Sequence, residues 1–383
     1  MKKFFYVAIV ATALASCSSD QLVDLKEGDE IKITAVTDNG SRAADVYCQN
    51  NLPGDFLLYA KYTKDEGTAQ NFIPGEKFTN NGNNVWVSED GATRYWPEDG
   101  TLDFFAVKNA ELGADYKTIA AFTPNATAKY QLDLLYAVAT GKRKATSIAD
   151  NQAVAMNFRH ALSQIEFQAK NDNPRLYVEI TGVKVGQAVK TATYTLPTTS
   201  TDGLLETHTN GVAGAVTRGE WSTWSEEKQD YEITFGAVEL ACATEAKSLS
   251  FETHDGSEGE VDNENSLLLL PQTTDEWEPA VGGTYNGSYL AVKCKIWNVS
   301  GESVNKTTDA VLHNEAYAVI PVAFNWEEGK KYVYTFNFTT AGNGGYEDAP
   351  ANPQPVLFPI TVSMTVDDFV NASEIDQDME TQP

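Results

Sequence analysis

Residues 356–366 read Val-Leu-Phe-Pro-Ile-Thr-Val-Ser-Met-Thr-Val, a regular alternation near the end of a 383-residue chain. Apolar side chains recur at every second position, namely Val356, Phe358, Ile360, Val362, Met364 and Val366. Successive side chains of a β-strand point to opposite faces, so this spacing predicts one strand with an apolar face. The preceding segment, 341–355, is rich in Gly, Pro and acidic residues, which would let the strand swing away from its domain.

A second alternating stretch lies near the N-terminus and predicts another short strand. Its apolar face is made by Ile31, Ile33 and Ala35. Residues 38–41, Asp-Asn-Gly-Ser, have the composition of a loop, and Arg42 follows as a single basic residue. The sequence therefore places an isolated strand ahead of a flexible loop that ends in one arginine.

Between these two strands the chain consists of short apolar segments separated by turn residues, with no long amphipathic helix. Strands at a spacing of roughly ten residues favour an all-β fold built from β-sandwiches. Hydrophobic residues make up 42% of the chain and aromatic residues 11%, enough for packed cores. The polar break at 171–174, which contains Pro174, is the predicted domain boundary, so the predicted units are 43–172 and 173–383.

The first seventeen residues have the composition of a lipoprotein signal peptide. Lys2-Lys3 precedes an apolar run from Phe4 to Leu14, and Leu14-Ala15-Ser16-Cys17 follows. The run is too short to span a bilayer, so it predicts a cleaved signal with Cys17 as the lipidated first residue. The alternative is an ordinary secretory signal. Residues 18–42 then form a leader that carries the first strand, and membrane attachment would be through the lipid alone.

Charge and cysteine content exclude two further classes of protein. With 28 basic and 54 acidic residues, the net charge of −26 would repel nucleic acid. Beyond Cys17 the chain has only Cys48, Cys242 and Cys294, which excludes a scaffold held by several disulfides. Cys242 and Cys294 lie in strand-like segments, and core positions are favoured over a disulfide between them.

No arrangement of residues typical of an enzyme is found. The chain has no nucleophile elbow, no phosphate-binding loop of the Walker A type and no metal-ligand spacing among its four histidines. The acidic loop 254–265 lacks the order of ligands of an EF-hand and is interpreted as solvated. His160 is interpreted as a polar residue at a strand edge. The sequence therefore predicts a protein with no enzymatic activity, no cofactor and no metal site.

Several segments together resemble the fimbrillins, the subunits of type V pili of Gram-negative anaerobes. They span most of the chain and comprise the motif ending at Cys17, Ser41-Arg42-Ala43, Tyr95-Trp96-Pro97 with Leu102–Ala106, Asn157–Ser163, Leu269–Gln272 and Gly329–Tyr334. The resemblance implies two tandem transthyretin-like β-sandwich domains and a lipoprotein precursor at the outer membrane and cell surface. It also implies that a trypsin-like protease cuts between Arg42 and Ala43.

In such a family the cut removes the first strand, here Ile31 to Val36, and opens an apolar groove. The resemblance implies that a donor strand, here Val356 to Val366, fills the groove of another copy or of a homologous fimbrial subunit. The product would be an adhesive fimbrium. Two alternatives stay open: the last strand could complete its own domain, and the protein could be a monomeric glycan-binding lipoprotein that uses Trp221 and Trp224.

Overall fold

The computed structural model describes residues 30–37, 52, 54–65, 67–81, 85–145, 153–201, 218–250, 252–253, 261–262, 266–340 and 344–368. Regular structure in these residues is almost entirely β-strand, with short 3-10 helices at Ala128–Tyr130 and Pro279–Val281. The all-β prediction is therefore confirmed. Among the residues described, no helix is long and apolar enough to cross a lipid bilayer.

The first half of the chain forms a closed sheet. Its strands are β1 (Ile33–Thr37), β2 (Asp55–Thr63), β3 (Gln70–Asn80), β4 (Trp86–Ser88), β5 (Thr101–Lys108), β6 (Thr118–Phe122), β7 (Leu135–Lys142) and β8 (Val154–His160). All but β6 join in the order β1-β4-β3-β2-β5-β7-β8, and β8 pairs with β1 to close a barrel. The β1–β8 pair is parallel, whereas the other pairs of the barrel are antiparallel.

Aromatic rings fill the barrel. The Phe56 ring centroid lies 4.8 Å from that of Trp86 and 5.1 Å from that of Phe158. A turn that requires glycine leads into β5: Gly100 has a φ of 76°, and a Cβ there would lie 2.3 Å from the carbonyl oxygen of Thr63. Local turn chemistry and strand alternation thus agree in directing the apolar faces inward.

The second half forms a sandwich. Its strands are β9 (Ser163–Asn171), β10 (Leu176–Val189), β11 (Ala192–Thr195), β12 (Glu220–Ser222), β13 (Lys228–Leu240), β14 (Ala243–Ser248), β15 (Glu252–Thr253), β16 (Val261–Asp262), β17 (Leu267–Leu269), β18 (Tyr289–Asn298), β19 (Ala310–Pro321), β20 (Lys330–Phe338), β21 (Tyr346–Glu347) and β22 (Ile360–Asp368). One sheet has the order β13-β10-β18-β19-β21 and the other β14-β9-β20-β22, with β17 also paired to β9. The two sheets share one buried apolar core.

The change from one set of strands to the other falls earlier than the predicted boundary. β8 ends at His160 in the barrel, and β9 begins at Ser163 and pairs in parallel with β20. The predicted boundary places β9 in the N-terminal unit, whereas its hydrogen-bond partners all belong to the second half. The polar break at 171–174 connects β9 to β10. The division into two folding units stays a prediction.

A third, smaller sheet joins the two halves. Its order is β12-β11-β6, so β11 of the second half pairs with β6 of the first half on one side and with β12 on the other. The apolar residues around it form a separate buried cluster that draws on both halves, including Phe105, Tyr136, Tyr194 and Leu268. Contact between the halves is therefore a packed interface with its own core.

The cysteines occupy two different environments. Cys294 is fully buried in β18, which confirms its prediction as a core residue, and burial raises the pKa of its thiol. Cys242 lies between β13 and β14 and is exposed, so its prediction as a core residue is wrong. Strand-like sequence does not decide which face of a sheet is covered. Both thiols are free, and Cys48 lies outside the described residues.

Candidate functional site

β1 is held by backbone hydrogen bonds on both sides. Along one side it pairs in parallel with β8, from Ile33 opposite Val154 to Thr37 opposite Phe158. Along the other side it meets β4 at the pair Ile33 and Trp86. The Val154 amide donates to the Lys32 carbonyl at 2.8 Å, so residues ahead of β1 extend the pairing. The first strand is thus an integral element of the barrel.

The side chains of β1 and of the two residues ahead of it follow the alternation expected from the sequence. Ile31, Ile33 and Ala35 are 8%, 1% and 3% exposed, and all three belong to the barrel core. Lys32, between them, is exposed. The predicted inward face of the first strand is therefore confirmed, whereas its removal by a protease stays a prediction.

A cavity of about 300 Å³ lies beside the start of β1. Its apolar wall is formed by Ile31, Ile33, Leu58, Ile73, Phe78 and Trp86, and its rim by Ser88 and residues 91–94. The cavity is partly open to solvent at this rim, and it marks a place where the side chains of β1 and its neighbours leave space unfilled.

A half-buried ion pair stabilises the rim of this cavity. The Arg94 guanidinium donates through Nε to Glu76 Oε1 at 3.1 Å and also through Nη2. The Glu76 side chain is only 14% exposed, which makes the pair less screened than a surface one. The Arg94 carbonyl in turn accepts a hydrogen bond from the Ile31 amide at 2.8 Å. The charged pair therefore orders the segment that receives the beginning of β1.

The predicted C-terminal strand lies within its own chain. β22 pairs antiparallel with β20, from Phe338 opposite Ile360 to Lys330 opposite Asp368. β22 is the last strand of its sheet, and no strand of the described residues pairs with its other edge. The alternative in which this strand completes its own domain therefore describes the present state of the chain.

Burial changes along the alternating apolar residues of this strand. Phe358 and Ile360 are 2% and 1% exposed, and Val356 and Val362 are half-buried. Met364 and Val366, by contrast, are 44% and 49% exposed. The sequence predicts one uniform apolar face; the structure divides it into a covered first part and an open last part.

The remaining predicted site residues fall into two groups. Cys17, Arg42 and Ala43 lie outside the described residues. Trp221 is half-buried, and its indole nitrogen donates a hydrogen bond to the Ala161 carbonyl oxygen at 3.0 Å. Trp224 is 40% exposed. One tryptophan of the suggested glycan-binding pair is therefore used for packing between the halves. No cluster of three or more potential metal-ligating side chains occurs within the described ranges.

A buried carboxyl group at the interface between the halves was missed by sequence reasoning. Glu328 is 7% exposed and accepts hydrogen bonds from the hydroxyls of Tyr136 and Tyr194. Burial raises the pKa of Glu328 to about 7. In the sequence, Glu328 directly precedes the Gly329–Tyr334 motif. Nothing in that pattern indicates that the Glu328 side chain is buried.

His160 belongs to the same interface. It is 4% exposed, and its Nδ1 lies 2.6 Å from Oδ2 of the fully buried Asp133. Its interpretation as a strand-edge residue missed this burial. Charged and polar groups thus occupy the junction between the halves, where packing from several strands covers them.

The amino-acid sequence matches a known protein family. The sequence profile of the fimbrillin-like family matches residues 20–351 of the chain. The chain belongs to the fimbrillin-like family. This is a family of fimbrial proteins and not of enzymes, and it places the protein in a cell-surface fimbrium. A comparison with curated protein sequences finds no match.

Solved structures that resemble the chain include two provisionally assigned cell adhesion proteins. One, from Bacteroides uniformis, has 16% identity and a TM-score of 0.40, with 90% of this chain and 100% of that chain covered. The other, from Bacteroides ovatus, has 15% identity and a TM-score of 0.44, with coverage of 90% and 99%. The tip fimbrial protein Mfa3 from Porphyromonas gingivalis, with a C-terminal truncation, has 11% identity, a TM-score of 0.32 and coverage of 88% and 99%.

Proposed function

We propose that this fimbrillin-like protein is a structural subunit that polymerises by exchanging its first strand for the last strand of a neighbouring copy. The observation that carries the proposal is the position of β1: a short strand ahead of Arg42 that closes the barrel between β4 and β8 and, with the preceding Ile31, supplies three buried side chains to its core. Cleavage between Arg42 and Ala43 by a trypsin-like protease would free it.

Removal of β1 would leave a surface suited to strand addition. The edges of β4 and β8 would lose their hydrogen-bond partners, and the floor of the groove is apolar. Burial of Ile31 and Ile33 stabilises the barrel by roughly 1.5–3 kcal/mol each, and a replacement strand would restore that contribution. The segment Val356–Val366 of another copy, or of a homologous subunit, has the required alternation.

The mode of contact explains why a filament would result. Each copy carries one groove in its first half and one donor strand in its second, so the contact is head-to-tail and does not close on itself. The lipid on Cys17 would hold the precursor at the outer membrane until cleavage removes it with the leader. Adhesion at the cell surface would then depend on the polymer.

The test is substitution of the arginine at the proposed cleavage site. Wild-type protein extracted from the cell surface is expected to begin at Ala43 by N-terminal sequencing and to form a ladder of oligomers. The Arg42→Ala variant is expected to keep its leader and remain unpolymerised. Lys32→Ala is the matched control, because it removes another basic residue of the leader without changing the site. Normal polymers of Arg42→Ala protein with the leader removed would contradict the proposal.

A further inference from the structure

The first part of the donor segment is firmly attached to its own chain. The Phe358 ring lies 6.0 Å from that of Phe338 and 5.3 Å from that of His313, measured between centroids. The Val356 amide donates to the Gly345 carbonyl at 2.9 Å, and the Pro359 carbonyl accepts from Thr339 at 3.1 Å. Releasing this part would open the core of the second half.

The last part of the segment pairs with β20 along its length, but its side chains are covered much less. Val362, Met364 and Val366 lie opposite Phe336, Tyr334 and Tyr332 of β20, all of which are buried. Met364 and Val366 nevertheless remain close to half exposed, and the far edge of β22 pairs with nothing in the described part of the chain. Exposed apolar side chains next to an unpaired strand edge favour the binding of a second partner.

The groove of β1 distinguishes between possible registers of the incoming strand. Proline lacks an amide hydrogen and is confined to sheet edges, whereas β1 lies between two strands. Placing Phe358 at the position of Ile31 would put Pro359 inside the groove. Placing Ile360 there would put Met364 at the position of Ala35, which is 3% exposed, and overpack that site.

A third register meets these conditions. Val362, Met364 and Val366 would take the positions of Ile31, Ile33 and Ala35, with Ser363 and Thr365 facing outward. Met364 would then enter the groove where the cavity of about 300 Å³ adjoins Ile33. An unbranched, flexible side chain is suited to an irregular gap of this kind.

We propose that only the last part of the segment, Val362–Val366, is donated to a second copy of the chain, with Met364 in the cavity beside the position of Ile33. Phe358 and Ile360 stay in the core of their own chain. This rests on the strand exchange proposed above and deepens it. The retained half would join each subunit to its neighbour through a continuous strand, and Met364 would set the register.

Disulfide trapping tests the register directly. Full-length chains with Cys48→Ser and Cys242→Ser are cleaved by the maturation protease and oxidised, with Ser88→Cys at the rim of the cavity. Adding Val362→Cys is expected to give a covalent ladder on non-reducing gels, because the proposed register places Val362 at the position of Ile31, directly across the antiparallel pair from Ser88. Phe358→Cys, the matched control, is expected to give polymers without covalent links. A ladder from Phe358→Cys but not from Val362→Cys, or polymers without a link in either, would overturn the proposal.

A second measurement separates this inference from the exchange itself. If no cleaved variant forms polymers of any kind, covalent or not, the proposed strand exchange is refuted, independently of the register. If polymers form, Met364→Ala is expected to dissociate at least tenfold faster than the wild type, whereas Met364→Leu and the neighbouring exposed substitution Thr365→Ala keep the wild-type rate. Equal rates for Met364→Ala and Thr365→Ala would show that the cavity does not receive Met364.

Discussion

Shortening one buried side chain of β1 is expected to loosen that strand from the barrel. Ile33 is 1% exposed, and replacing a buried Ile by Ala lowers the free energy of unfolding by about 2–5 kcal/mol. The cavity already adjoining Ile33 places Ile33→Ala near the lower end, about 2 kcal/mol, because the Ile33 side chain already lacks packing contacts on that side. A change of about 2 kcal/mol corresponds to a roughly 30-fold larger open population of β1.

Hydrogen exchange of the partner strand measures this opening in the purified precursor. The Val154 amide donates to the Lys32 carbonyl, so it exchanges when β1 detaches. In the Ile33→Ala variant, exchange at Val154 is expected to be about 30-fold faster. Phe105 in β5, paired with strands on both sides and remote from β1, is expected to exchange at the wild-type rate.

Lys32→Ala is the matched control on the same strand. The Lys32 side chain is exposed and its carbonyl is retained, so the free energy of opening is expected to change by less than about 0.5 kcal/mol. Unchanged exchange at Val154 in Ile33→Ala would refute the reasoning that inward packing holds β1. Equal acceleration at Val154 and Phe105 would mean that β1 opens only with the whole barrel.

Three further outcomes are expected. The pKa of Glu328 is about 7 in the folded chain and 4.5 ordinarily, so between these pH values the folded chain binds a proton that the unfolded chain has lost. The free energy of unfolding therefore falls as pH rises from about 4.5 to 7, by up to roughly 3 kcal/mol. Urea titrations should show this fall in the wild type but not in Glu328→Gln. Gly186→Ala should lower stability by about 3 kcal/mol, because its Cβ would lie 2.0 Å from the Tyr289 ring, whereas Gly236→Ala meets nothing within 4 Å; equal melting temperatures would contradict this. In a chain lacking Cys17 and Cys48, a thiol reagent should label the exposed Cys242 at once and the buried Cys294 only after unfolding. Two labels on the folded chain would show that the core around β18 is open.

Strand alternation is a local property, and for that reason it could be predicted from the sequence. That Ile31, Ile33 and Ala35 share one face follows from their spacing alone, and so does the shared face of the alternate residues in 356–366. The turn at Gly100 is equally local, since it depends on a backbone conformation that glycine adopts readily.

Partners distant in sequence could not be predicted in this way. β9 pairs with β20, although Ile165 and its partner Tyr332 are far apart along the chain, and the sequence placed β9 in the other unit. Glu328 resembles a solvated turn residue until strands of both halves cover it. Burial of a polar group depends on which elements meet, and no local pattern encodes that.

The two terminal strands show the division most clearly. The sequence by itself determined that both are amphipathic strands, because a period of two places alternate side chains on one face. Only the tertiary structure decided that the first strand closes a barrel beside an unfilled cavity and that the last lies at a sheet edge, covered over Phe358 and Ile360 and open over Met364 and Val366. The reason is physical: periodicity specifies which side chains share a face, whereas burial depends on what the rest of the chain places against that face.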